Sequence, residues 1–274
     1  ERLMTQEKSP VKGSEKAGAK PAAREESLGE SVRWLALMVL AVVAVRSLVF
    51  EPFNIPSGSM IPTLQIGDFV YVSKFSYGYS RFSFPFSPNL FNGRVMGSEP
   101  HRGDVAVFRY TQNTSIDYIK RIVGLPGDHI QMTGGKLFLN GIEVPRTSLG
   151  HYEVLDENNR LLSGERYRES LPGSAGRPAV DHEILKLTDE GFANDTPEYV
   201  VPQGYFFAMG DDRDDSADSR FQGDGPGDLS YVPIKNVGGR SPMVLCWIDL
   251  KRQAWQFWYL PDEIRLNRFL HPVT

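Results

Sequence analysis

Two serines bracket a glycine in Ile55-Pro56-Ser57-Gly58-Ser59-Met60-Ile61-Pro62-Thr63-Leu64, with a proline on either side. Proline fixes φ and disfavours the helical region for the residue before it, and glycine admits close approach of another group. The pattern predicts a stiff, extended platform that presents Ser59 in one pose, as a nucleophile requires. A serine hydroxyl is weak alone, so a base must come from elsewhere in the chain. The same residues also read as a turn in which a serine bonds its own backbone. Lys120 is a candidate base. On a strand, Tyr118, Lys120 and Ile122 share one face, and Ile119, Arg121 and Val123 the other. A lysine on an inward face among apolar neighbours loses its hydration, which disfavours the charged form and tunes such lysines to about 7–8. A solvated strand lysine is the ordinary alternative.

Other chemistries are less well supplied. His101, His129, His151, His182 and His271 are scattered, although spacing in sequence does not rule on a Ser-His-Asp triad. No His-Glu-x-x-His occurs, and no Cys/His spacing suits zinc. The acidic run Gly210-Asp211-Asp212-Arg213-Asp214-Asp215-Ser216-Ala217-Asp218-Ser219-Arg220 does not give, from any of its aspartates, the spacing of both glycine and glutamate that a calcium loop needs. Its arginines would also repel a cation.

That acidic run is one of three stretches that join the serine segment. The others are Arg102-Gly103-Asp104-Val105-Ala106-Val107-Phe108 and Asp117-Tyr118-Ile119-Lys120-Arg121-Ile122-Val123-Gly124-Leu125-Pro126-Gly127-Asp128. In this order, after an apolar segment, they closely resemble the bacterial type I signal peptidases, membrane-bound Ser/Lys endopeptidases that remove signal peptides from exported proteins. The resemblance runs from about Val32 to the C-terminus.

The resemblance implies Ser59 as nucleophile and selects Lys120 as general base. It implies an oxyanion hole of the Ser57 hydroxyl and the Ser59 amide, and makes Ser216 the hydroxyl that orients the lysine. Phe53, Ile55, Tyr118 and Ile119 match pocket positions that admit small side chains, as an Ala-x-Ala site has; Phe53 and Ile55 read equally as core. Asp218 with Arg213 and Arg220, and Asp211 with Arg121, match a charge network. The family usually has asparagine where Asp212 and Asp215 stand, which adds negative charge near the site. No cofactor or metal is implied. The implied partners are signal peptides of preproteins, the phospholipid bilayer and the export translocon.

These residues need a scaffold. The chain of 274 residues suits one large domain or two small ones. A formal charge of −4 argues against a nucleic-acid binder. The single cysteine, Cys246, permits no internal disulfide and lies in an apolar run.

Residues 1–31 carry no aromatic ring and are rich in Lys, Glu, Ala, Gly and Ser, which predicts a disordered cytoplasmic tail. Residues 32–53 predict a single transmembrane anchor, although Trp34 to Val45 is shorter than the ~20 apolar residues of a full span and Arg46 must snorkel. A cleaved signal peptide and a buried soluble helix are the alternatives. Lys16, Lys20, Arg24 and Arg33 precede the run, and after Arg46 the next basic residue is Lys74. The positive-inside rule then makes the N-terminus cytoplasmic and the remainder external; the resemblance implies that the membrane is the bacterial inner membrane.

Beyond the anchor the expected class is mostly β. Strands are predicted over Gly67 to Lys74, Asp104 to Tyr110, Tyr118 to Val123 and Tyr205 to Met209, with closing strands over Met243 to Ile248 and Trp255 to Tyr259. Asn140-Gly141 predicts a hairpin turn, and Thr147 to Thr196 reads as polar and irregular. Residues 54–128 and 204–274 form the expected catalytic β-domain, with 129–203 as an inserted β-rich lobe. The stretch Phe82 to Phe91 reads either as a loop folded on the core or as an aromatic surface that dips into lipid.

Overall fold

The computed structural model describes residues 28–84, 87, 93–223, 228–247 and 268–273. The chain divides into two compact units, Glu1–Leu40 and Ala41–Thr274. The predicted disordered tail falls almost wholly outside the described residues, as does the strand predicted over Trp255 to Tyr259.

Helix α1 is Leu28–Leu48, and its residues to Leu40 are the described part of the first unit. It is rich in Leu, Ala and Met and free of proline, which favours helix. Its 21 residues give a length of roughly 30 Å, near the thickness of a bilayer's hydrocarbon. Trp34, Met38 and Leu40 are all exposed. By length and composition α1 can cross a membrane. It stops at Leu48, so Phe50 to Phe53, expected within the anchor, instead belong to a strand.

The second unit is mostly β, as expected. One antiparallel sheet has the order β1-β2-β14-β3-β4-β12-β13. Its strands are β1 Phe50–Asn54, β2 Asp68–Ser73, β3 Val105–Arg109, β4 Asp117–Gly124, β12 Tyr205–Met209, β13 Val232–Pro233 and β14 Val237–Trp247. Alternation sorts β3 and β4 between two cores. Val105, Val107 and Ile119 pack with Ile55, Met60, Leu64, Val70, Val72 and Val244. Ala106, Phe108, Tyr118 and Ile122 pack with Tyr77, Phe206, Ala208 and Val232. Both faces of β4 are therefore covered.

Residues between β4 and β12 add two sheets. The first has the order β11-β5-β6-β7, from β5 His129–Thr133, β6 Lys136–Leu139, β7 Ile142–Glu143 and β11 Tyr199–Val200. The Asn140-Gly141 turn joins β6 to β7, with φ of 54° and 78°, the left-handed pair that hairpins need. The second has the order β10-β9-β8, from β8 Arg146–Leu155, β9 Leu161–Leu171 and β10 Val180–Lys186.

These three strands correct the irregular reading of Thr147 to Thr196. Their charged residues ride on partly exposed faces, and Arg146 and Arg166 stack on Tyr167 and Tyr152. Polar composition here reflected a half-wet sheet rather than a loop. In the stretch Phe82 to Phe91, the Phe82 ring is buried between the guanidinium groups of Arg81 and Arg109, at 4.7 and 5.8 Å, and Phe84 is half-buried. Packing against protein corrects the lipid-dipping reading at Phe82; Phe86 and Phe91 lie outside the described residues.

Candidate active site

The serine segment leaves β1 and turns at once. Ile61 N–H donates to Gly58 O at 2.9 Å and Leu64 N–H to Met60 O at 2.8 Å. The expected extended platform is instead a compact turn, because Met60, Ile61 and Leu64 bury completely and pull the chain inward. Both ends are tied down: Ile55 exchanges backbone hydrogen bonds with Gly67 and Asp68, and the Arg268 guanidinium holds the Asp68 carboxylate.

Ser59 sits in this turn at 8% exposure. Lys120 reaches it from β4, opposite Ala106 of β3. Its Nζ is hydrogen-bonded to Ser59 Oγ at 2.5 Å. The side chain is buried, with the Tyr118 ring 5.6 Å from Nζ. Burial lowers the lysine to about 8, although Asp218, Asp211 and Asp212 pull it back upward. A lysine so placed holds a neutral amine in reach of a serine proton near physiological pH.

The acidic loop packs directly behind this pair. A Cβ on Gly210 would collide with the Ser59 carbonyl and Ser216 Oγ, so only glycine fits. Gly210 N–H donates to Asp218 Oδ2 at 3.0 Å, and Asp212 N–H to Ser59 O at 3.2 Å. Two of the predicted charge pairs are present. Arg121 Nε and Nη2 bind the Asp211 carboxylate at 2.8 and 2.7 Å, and Arg220 binds Asp218 at 2.9 and 2.8 Å. Burial alone would raise Asp211 and Asp218, but the adjoining arginine charges outweigh it and hold both below the usual carboxylate range.

The third pair is different. Arg213 does not pair with Asp218; its guanidinium forks onto Glu169 of β9. Burial opposes ionisation of Glu169, yet Arg213 and His182 hold its carboxyl well below the ordinary range. Asp218 has both oxygens committed to Arg220 and to the Gly210 and Arg220 amides, so Arg213 turns to the next sheet. His182 of β10 joins Glu169 at 3.4 Å, and burial with the Arg121 charge lowers its pKa. This histidine serves the buried network; the hydrogen-bond partner of the Ser59 side chain is Lys120.

Ser216 departs from expectation too. It is buried, but its hydroxyl makes no hydrogen bond, so the predicted bond to Lys120 is not formed. Ser57 is exposed two residues before Ser59 on the same turn. Of the four pocket candidates, Phe53, Ile55 and Ile119 come together around Met60 and Leu64. Tyr118 lies in the other core, stacked on Tyr110 at 4.9 Å and flanking the lysine. Among the described residues, no group of three or more His, Cys, Asp or Glu side chains is placed to hold a metal ion.

Sequence reasoning missed Glu169, His182 and Lys186, all from β9 and β10. Lys186 Nζ binds Asp214 Oδ1 at 2.6 Å, and Leu185 exchanges backbone hydrogen bonds with Asp211 and Arg213. It also missed Glu157, at the tip of the β8–β9 hairpin, whose Oε2 accepts from Gly58 N–H at 3.2 Å. No local motif marks these residues; only the docking of the hairpin sheet on the acidic loop reveals them.

The family model described as signal peptidase, peptidase S26, matches residues 28–247. Signal peptidase I of Rickettsia canadensis is 36% identical over 227 residues, covering 80% of each chain. Signal peptidase I of Pseudomonas fluorescens is 40% identical over 236 residues, 85% of this chain and 74% of its own. A crystal structure of a signal peptidase I from Enterococcus faecalis aligns with 52% of this chain and 97% of its own at 22% identity, with a TM-score of 0.29, too low to equate the folds.

Proposed function

The chain belongs to the signal peptidase family, peptidase S26, and we propose that it cleaves signal peptides with Ser59 as nucleophile and Lys120 as general base. The observation that carries this reading is the 2.5 Å contact between Lys120 Nζ and Ser59 Oγ inside a buried site. As Oγ attacks the scissile carbonyl carbon, neutral Lys120 takes the hydroxyl proton. The oxyanion is held by the Ser57 hydroxyl and the Ser59 N–H; donors of this kind are typically worth ~3–4 kcal/mol each. Lys120 then gives its proton to the departing amine, leaving an acyl ester on Ser59. It next takes a proton from water as that water attacks the ester, and returns it to Oγ when the signal peptide's new carboxylate leaves.

Substrate choice is assigned to the apolar wall of Phe53, Ile55 and Ile119, with Tyr118 beside the lysine. A wall this full admits small side chains, the basis for an Ala-x-Ala preference. The catalytic β-domain is residues 54–128 and 204–274, and 129–203 is an inserted lobe that supplies two sheets of its own. The enzyme is proposed to be bound to the inner membrane through α1 as its single span. Its N-terminus is then cytoplasmic and Ser59 faces outward, close to the bilayer and to the export translocon. Lys16, Lys20, Arg24 and Arg33 close before the apolar run, against no basic residue between Arg46 and Lys74, support that orientation.

The test is cleavage of a preprotein by the wild type beside Ser59→Ala, Lys120→Ala and Lys120→Arg. All three variants should be inactive while folded, since arginine keeps its proton. Substantial cleavage by Ser59→Ala would remove the assignment.

A further inference from the structure

Asp212 carries a carboxyl that the proposed mechanism does not use. It is completely buried. Its N–H donates to the Ser59 carbonyl at 3.2 Å, so its backbone is tied to the nucleophile itself, and Leu185 of β10 bridges it from the other side. Oδ1 accepts from the N–H groups of Asp214 and Asp215 at 3.3 and 3.0 Å. Oδ2 is buried with no hydrogen-bond partner. A buried oxygen that accepts nothing disfavours the ionised carboxylate.

The charges around it do not relieve this. Arg121, Arg213 and Arg220 are committed to Asp211, Glu169 and Asp218. On β10, Lys186 is engaged by Asp214. At the hairpin tip, Arg160 is bound to Asp156. Asp214 and Asp215 add like charge from the same loop, and Lys120, bonded to the side chain of the same Ser59 whose carbonyl Asp212 holds, is the cation on which its charge acts. Burial, the largest influence, pushes Asp212 up to about 7; the charges of Asp214 and Asp215 add to this and their amides oppose it.

We propose that Asp212 is a positioning residue that brakes Lys120 electrostatically: neutral, it leaves the lysine free to shed its proton; ionised, it holds that proton in place. The inference rests on the reading of Lys120 as the base. A neighbouring anion favours the charged form of an amine, so the wild type must climb to higher pH before its base is free. The residue has this effect because aspartate stands where the family resemblance expects asparagine.

The test is the pH profile of kcat/KM for preprotein cleavage by the full-length enzyme in detergent. Asp212→Asn keeps the Oδ1 acceptor for both amides and removes the charge. Its rising limb should move to lower pH by on the order of half a unit, with a rate at pH 7, where Asp212 is only half ionised, about one-and-a-half- to twofold above the wild type. Asp215→Asn makes the same change at an exposed, solvent-screened position and should move the limb much less. An unmoved or upward-moved limb in Asp212→Asn overturns the inference while the dyad stands. An equal shift from Asp215→Asn also overturns it, because the charge of the whole loop would then be responsible. A wild-type profile with no rising limb removes the base reading and this inference together. If Asp212→Asn does not fold, Asp212→Ser carries the same expectation. In Ser59→Ala enzyme with isotope-labelled aspartate, one carboxyl should titrate near neutrality, roughly three units above an ordinary aspartate; failure to find it also overturns the proposal.

Discussion

Lys120 and Arg121 are neighbours on β4, equally buried, and their side chains take opposite faces of one strand. On the Arg121 face, Asp211 supplies a two-pronged carboxylate and Gly103 a carbonyl. On the Lys120 face the hydrogen-bond partner is a serine hydroxyl, flanked by a tyrosine ring. Two of the carboxylates whose charge acts on the lysine, Asp218 and Asp211, are already bound to arginines. Burial therefore does opposite things to two adjacent side chains. With a matched counter-ion it yields a fixed charge that struts the loop; without one it yields a base that can give up its proton. The difference lies in the partner rather than in the depth.

The first way to break this contrast is to remove the titrating pair. Ser59→Ala or Lys120→Ala should each lower kcat for preprotein cleavage by at least about a thousandfold, and the double variant should be scarcely worse, because the two act as one unit. Additive losses would mean that they work separately.

Next comes the fixed-charge face. Glu169→Gln leaves the buried Arg213 without its counter-ion and should destabilise the fold by about 3–5 kcal/mol, read by chemical denaturation. A cost below about 1 kcal/mol would show that the network is not a strut.

The pH response sharpens the comparison. As the proposed base, Lys120 acts only when neutral, and burial lowers it to about 8. Activity should therefore rise with pH, about tenfold per unit below that value, and level off above it, with chemistry rate-limiting. A limb near the ordinary lysine value would mean that burial does not tune this side.

The smallest effect is expected at the hairpin tip. Glu157 is exposed, and Glu157→Gln retains an acceptor for Gly58 N–H. Its kcat should stay within about threefold of wild type, since the part-buried hydrogen bond keeps an acceptor and a neutral bond of this kind is worth roughly 1 kcal/mol. A larger loss would tie the tip to the chemistry.

Much of this site was legible without coordinates. The strands β2, β3, β4 and β12 were marked by runs of β-branched and aromatic residues, and the β6–β7 turn by Asn140-Gly141. Ser59 and Lys120 are singled out by separated motifs that keep their order along the chain, and their side chains meet in the fold. The pairs Arg121–Asp211 and Arg220–Asp218 were expected and are present. Other features were misread for identifiable reasons. Prolines near Ser59 suggested extension, but burial of Met60, Ile61 and Leu64 outweighed that local preference and made a turn. The charges of β8, β9 and β10 hid their strand character, because a sheet with a wet face need not look apolar.

What the sequence determined by itself was therefore local: which residue types could attack, accept a proton or pair, and which segments favour strands. The tertiary structure decided which of them meet. Arg213 had an aspartate nearby in the chain, yet its partner is Glu169 on another sheet. Lys120 loses its proton readily because the packing around its buried side chain excludes water from it. Desolvation and long-range pairing depend on what surrounds a group in space, and no window of neighbouring residues contains that.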